Sequence, residues 1–356
     1  MARTVHWNYR NRRGKTFSML RTLWRHFGAW LPWLATLALL GLLVQAVNPA
    51  NLAQALRQAN LWLILPILGC GLIGLLMRSI RWHLLLSAID APNSLLDSIL
   101  LFTASQSVML IPGGQFLLPV LQRSQHGTLI RQSAATILVQ ELVFGVLVLP
   151  AALPGLSAYH YAGLLLFLAL IFSGGTAAAF LHGDISRFGL GLAARVPVLH
   201  NHVPKFAEVQ RQFVLVASSK AAIWGSLFDM LAIAAAGTGF YIALFAVGAT
   251  QLTWPDALAI YALGSAVGTI SALPGGVGAN EDISTLVLTK MGLAAGPAAA
   301  ATLLFRVVNL LMGVTLGWVV LYFAAHRFQV HPSFGGLIRA CRGADGATLL
   351  VKEEVR

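Results

Sequence analysis

Runs of about twenty apolar residues recur along this chain, and that is the length a helix needs to cross the hydrocarbon core of a bilayer. They lie at Phe27–Ala46, Leu61–Met77, Ser133–Leu153, Ala162–Leu181, Ala221–Val247 and Pro297–Phe323. Two further apolar stretches are interrupted, Leu95–Leu121 by Pro112-Gly113-Gly114 and Asp256–Met291 by Pro274-Gly275-Gly276-Val277-Gly278. Charged residues make up only 10% of the 356. Soluble domains carry roughly 25%, so an ordinary cytosolic enzyme is excluded. The hydrocarbon core offers backbone N–H and C=O groups no partner, which leaves helices and closed barrels as spanning structures. Continuous apolar runs select helices. The chain reads as an all-α polytopic membrane protein.

Charge placement decides how the interrupted stretches lie. Suppose the N-terminus is cytoplasmic and each stretch crosses once. The 182–220 segment, with Arg187, Arg195, Lys205, Arg211 and Lys220, then faces outward, against the rule that basic loops stay inside. Re-entrant stretches, each returning to the side it entered from, repair this. Of the 24 Lys and Arg, 21 then face the cytoplasm, Arg57 and Lys290 face out, and Arg306 lies within a span. The expected architecture is six full spans plus two re-entrant broken-helix hairpins in the cytoplasmic (inner) membrane, with both termini cytoplasmic. It divides into a basic tail (1–26), a membrane domain (27–325) with a cytoplasmic connector (182–220), and a second basic tail (326–356). The net charge of +12 then reads as topology signals and contact with anionic lipid, not as a nucleic-acid footprint.

The two hairpins are alike in sequence. Ser98–Gly114 reads SILLFTASQSVMLIPGG and Ile260–Gly276 reads IYALGSAVGTISALPGG; downstream, Ala134–Leu138 (AATIL) matches Ala300–Leu304 (AATLL). One hairpin enters from each side, so the pattern is that of an inverted-topology repeat, the first copy over about 61–153 and the second over about 221–323. Pro112 and Pro274 end the helices before them. Gly113, Gly114, Gly275, Gly276 and Gly278 permit turns that other residues resist. Two such breaks, one from each face, bring half-helix ends together near mid-membrane, where transporters hold their substrates.

Few ionisable residues fall inside the apolar segments, and each is costly enough there to need a reason. They are Glu141, Asp229 and Arg306, joined by Glu281 just after the second break. Arg306 needs an acid, a phosphate, carbonyls or water; Glu141, Asp229 and Glu281 are its candidate acids. Asn280 suits the cap of the returning half-helix, and Glu281 and Asp282 suit its positive end. The same residues also suit a gating or head-group role. Arg78 and Arg81, beside Trp82 at the end of a span, and Arg123 read as interfacial basic residues. His200 and His202 lack the neighbouring cysteine or carboxylate spacing of a metal site. No nucleophile elbow, zinc-helix, Walker or dinucleotide motif is present. No enzyme activity, cofactor or metal is therefore expected.

Leu273-Pro-Gly-Gly-Val-Gly-Ala-Asn-Glu281, Arg306 on the following helix, and Arg78-Ser-Ile-Arg81-Trp82 together resemble the lysylphosphatidylglycerol synthase transmembrane-region, or flippase-like, membrane proteins. The resemblance spans roughly residues 30 to 325. The first repeat departs from that family's pattern: Phe116 and Pro119 stand where a Gly and an Arg are usual, and Leu142 follows Glu141 where an Arg is common. The resemblance implies movement of a lipid, or a lipid-linked head group, between leaflets through a polar central cavity. It suggests an anionic, polyprenyl-type or hopanoid-type lipid as partner. A soluble aminoacyl-transferase domain is not expected in this chain. Two other readings stand beside it, a small-solute or ion secondary transporter and a non-catalytic membrane partner of a lipid-modifying enzyme.

The topology is checked by thiol labelling. Cysteines placed at Leu156 and Leu252 are expected to react with an impermeant reagent from outside intact cells, and those at His202 and Ala340 are not. Labelling at 202 from outside overturns the re-entrant arrangement.

Overall fold

A computed structural model of the chain describes residues 49–91, 93–110, 114, 117–128, 130–156, 203–271 and 276–328, together with a few isolated positions. The expected spans Phe27–Ala46 and Ala162–Leu181, most of the connector before residue 203, and both tails lie outside the described residues. So do Pro112, Gly113, Pro274 and Gly275. The described residues form α-helices and short turns, with no strand among them.

Helix α1 (Pro49–Gln58) precedes α2 (Ile64–Ser87), which opens with a single 3-10 turn whose start is capped by the Asn60 side chain accepting the Trp62 N–H. Ser94 caps α3 (Leu95–Ser105) through the Asp97 N–H, and α3 tightens into a 3-10 turn at Gln106–Val108 before the first break. Helix α4 (Leu117–His126) ends at Gly127, whose φ of +68° only glycine adopts easily. Then come α5 (Ile130–Leu156), α6 (Val203–Ala217) and α7 (Lys220–Ala246). Helix α8 (Trp254–Ile270) starts with a capping box between Thr253 and Asp256 and with Pro255 in its first turn. After the second break, α9 (Ala279–Lys290) leads to α10 (Ala295–Phe328). A long helix, a shorter one, a break, a short helix and a long helix thus occur twice in order, as α2 to α5 and as α7 to α10.

Four helices are long and apolar enough to cross a membrane: Leu61–Ser87, Gln132–Leu153, Lys220–Ala246 and Ala295–Ala324. Their outer faces leave large apolar side chains uncovered. Examples are Leu72 and Ile73 on α2, Ile223 and Trp224 on α7, and Leu311 and Phe323 on α10. A water-soluble protein would bury such stripes; lipid tails are their natural solvent.

The most extensive helix pairing is α2 against α7. They run antiparallel. The Asn60 N–H, just before α2, donates to the Ala246 carbonyl at the far end of α7, 2.9 Å away. A Cβ built on Gly239 falls 3.2 Å from the Cys70 Cβ, and deeper in the pair Arg81 binds Asp229. The helix continues past Arg78 to Ser87, and Arg81 and Trp82 are fully buried in protein. The helix runs on because Arg81 finds a carboxylate on α7 and a carbonyl, Val139, on α5 at 3.4 Å.

Helix α10 is the common spine, packing on α1, α2, α3 with its 3-10 turn, α7 and α9. Gly317 makes room for the turn that ends α3: a Cβ there would collide with the backbone of Ser107. The 3-10 turn after α3 therefore abuts α10 around Gly317, and α9 meets it around Arg306. On a helix rising 1.5 Å per residue those points are about 16 Å apart. The helix ends flanking both breaks meet one helix.

The Arg81–Asp229 pair yields a stability test. Asp229→Leu strands a buried cation and is expected to destabilise by about 3–5 kcal/mol. The double change Arg81→Met with Asp229→Leu should recover most of that loss, read as the melting temperature in detergent by size-exclusion. Failure of the double variant to improve on the single one refutes a simple pair. Leu252 is buried while its neighbour Gln251 is exposed, so thiol labelling in that loop is best read at 251.

Candidate functional site

The second break begins a site because of how its backbone turns. Gly276 and Gly278 have φ of +68° and +95°, conformations that L side chains rarely adopt. A Cβ on Gly276 would also lie 3.0 Å from the Gly268 Cα. Gly264 and Gly268, four residues apart on α8, form the small-residue face against which α9 closes. Asn280 and Ser284 of α9 sit directly over Gly264.

Helix α9 is capped by Glu281. Its Oε2 accepts the Gly278 N–H at 2.6 Å. Asn280, expected from the sequence to be the cap, lies instead in the first turn, where its Oδ1 accepts the Ser284 hydroxyl at 3.3 Å. The reason is register: glycine's positive φ carries the turn one residue pair earlier, so Glu281 occupies the third helical position from which a carboxylate reaches back.

The other oxygen of Glu281 faces Arg306. Glu281 Oε1 lies 3.0 Å from Arg306 Nε; the carboxylate side chain is 1% exposed and the guanidinium side chain 24% exposed. One carboxylate thus closes a helix start and holds a cation whose side chain is still about a quarter exposed. A guanidinium presents N–H donors in a planar fork, the geometry that grips phosphate or carboxylate oxygens. Asn309, one turn on, is anchored by donating to the Phe305 carbonyl at 2.9 Å. Phe305 meets Phe240 and Tyr261 edge-to-face, with centroids 5.4 and 6.0 Å apart.

Of the three acids considered for Arg306, then, the structure brings up Glu281 alone. Asp229 is taken by Arg81, both side chains being 0% exposed. Glu141 stands with Arg78, which lies 4.6 Å over the Phe144 ring and within electrostatic range of Glu141, Asp229 and Tyr261. Arg123 is half-buried near the end of α4, where its carbonyl accepts the Gly127 N–H. In the first half, Gly114 is pressed onto the Val108 carbonyl, with no room for a Cβ. Tyr261, Phe240 and Phe144 carried no signal in the sequence, because aromatic residues inside apolar runs look like lipid-facing or core side chains. No group of three or more metal-ligating side chains occurs among the described residues.

A family model described as the lysylphosphatidylglycerol synthase TM region matches residues 29–317. No curated protein matches the chain.

The glycine turn supplies a test of the site's construction. Gly276→Ala is expected to cost about 1–2 kcal/mol of stability from its left-handed φ alone, and the contact with Gly268 adds to it. Gly276→Leu should abolish function while membrane insertion, which follows overall apolarity, stays near normal. Wild-type melting in the alanine variant removes the turn from the site.

Proposed function

Because the chain belongs to the lysylphosphatidylglycerol synthase transmembrane-region family, we propose that it moves a phosphate-bearing lipid head group between the leaflets of the cytoplasmic membrane. The observation that carries this reading is the Arg306–Glu281 pair: a partly open guanidinium held by a buried carboxylate at the start of a broken half-helix. A cation exposed to hydrocarbon is expensive, by roughly 2.5 to 17 kcal/mol. A purely structural pair is best served by full burial, as in Arg81–Asp229. Arg306, whose side chain is only partly buried, instead stays within reach of an anionic ligand that comes and goes.

The lipid's acyl chains need no protein route, because the uncovered apolar faces of α2, α7 and α10 already border hydrocarbon. Only the head group requires polar partners. The repeated helix order and the helix ends flanking both breaks, which meet α10, support two halves in inverted orientation that alternate in opening. For the lipid to drive or follow that change, the two open states must bind it unequally. The protein's part is to bind, orient and desolvate a head group, without bond-making chemistry. The transmembrane region of this family is not its catalytic domain.

The test is lipid flipping in proteoliposomes at matched protein levels, with phosphatidylglycerol and, in parallel, a polyprenyl phosphate and a lipid without phosphate. Arg306→Leu is expected to slow flipping at least about tenfold, and Arg306→Lys to recover part of it, since lysine lacks the planar fork. Glu281→Gln keeps the acceptor for Gly278 while removing the charge, so the double variant Arg306→Leu with Glu281→Gln isolates the pair. Activity restored in that double variant makes Arg306 structural and ends the phosphate-binding reading.

A further inference from the structure

Arg78 and Arg81 on α2 and Arg306 on α10 are not equivalent. Arg81 is used up. It is fully buried, bound to Asp229 and donating to the Val139 carbonyl. Arg306 pairs with Glu281 and stays partly exposed. Arg78, three residues before Arg81 on α2, is the third. It is partly exposed and stacked over Phe144. Among the described residues, no carboxylate comes within ion-pair contact of Arg78 as Asp229 does of Arg81; Glu141 acts on it at longer range. Stacking on an aromatic face leaves the guanidinium edge, with its donors, available for a planar anion.

The register of the helices gives Arg78 its place. Cys70, Gly239 and Phe305 meet at one level, since a Cβ on Gly239 would lie 3.2 Å from both Cys70 Cβ and Phe305 Cε2. Arg306 follows Phe305 and shares that level. Arg78 lies eight residues further along α2, about 12 Å at 1.5 Å per residue. Tyr261 packs its ring edge-to-face against Phe305 and acts electrostatically on Arg78.

We propose that Arg78, over Phe144 and beside Glu141 and Tyr261, is a second binding station for the phosphate of an anionic lipid, displaced about 12 Å along α2 from the Arg306–Glu281 station. The proposal rests on the head-group transport described above and adds to it a route. A phosphate leaving Arg306 passes Tyr261 and meets a second arginine at another depth. In each station a glutamate accompanies the arginine, so neither cation is left uncompensated in low dielectric when no lipid is bound. No bond is made or broken along this route.

The experiment combines flipping in proteoliposomes with native mass spectrometry of the full chain in mild detergent, using phosphatidylglycerol and diacylglycerol as probes. The wild type is expected to retain two phosphatidylglycerol molecules tightly and no diacylglycerol. Arg78→Gln and Arg306→Leu should each lose one, their combination both, and Arg78→Gln should slow flipping roughly tenfold. Arg78→Lys, which keeps the charge if Arg78→Gln folds poorly, should flip at an intermediate rate and hold the second lipid more weakly. Arg78→Gln, or Arg78→Lys in its place, that retains two lipids and wild-type flipping overturns the second station. If Arg306→Leu is at the same time inactive, head-group transport stands without it. A wild type that neither flips nor retains the phospholipid overturns both.

Discussion

The buried pair between Arg81 of α2 and Asp229 of α7 sets the register on which the rest of the fold is built. Each ion alone would be prohibitive at that depth, so the two helices can exchange neither slide nor rotation without stranding a charge. With that contact fixed, antiparallel α2 and α7 align Cys70 with Gly239, and Phe305 of α10 closes on the same level. The packing of the other helices follows from a frame in which the first long helix of one half is tied to the first long helix of the other.

Glycine does the complementary work of letting irregular backbone enter that frame. A chain that breaks its helix inside hydrocarbon must cover the freed N–H and C=O groups with protein. Gly317 lets the end of α3 press into α10, and Gly264 and Gly268 let α9 close onto α8. At the second break, the Glu281 carboxylate takes up the Gly278 N–H. Because the same carboxylate also holds Arg306, the device that makes the break tolerable also positions the cation beside it. Stability and the site are built from one side chain.

The arginines sort by how completely protein satisfies them. Arg81 is closed and serves the frame. Arg306 and Arg78 stay partly exposed, next to aromatic side chains. The proposed head-group transport needs cations that are neither abandoned to lipid nor locked to an acid, since the first is too costly and the second binds nothing. The glutamate companions hold that middle position.

The sequence by itself determined what depends on local apolarity and on chain stiffness. The long helices beginning near Leu61, Ser133, Ala221 and Pro297 were legible because a membrane span is a matter of length and composition, and the interruptions near residues 112 and 274 because proline and glycine act on their own backbone. The positions of the costly charges, Glu141, Asp229 and Arg306, were legible for the same reason. Which charge meets which was not. Glu281 for Arg306 and Asp229 for Arg81 follow from the register between helices far apart in the chain, and a side chain's partner across a helix interface shifts face with every residue of slide. Tertiary structure alone also decided that Arg81 and Trp82 belong to the interior. An arginine beside a tryptophan reads the same whether a carboxylate 148 positions later comes to meet it or the lipid head groups do.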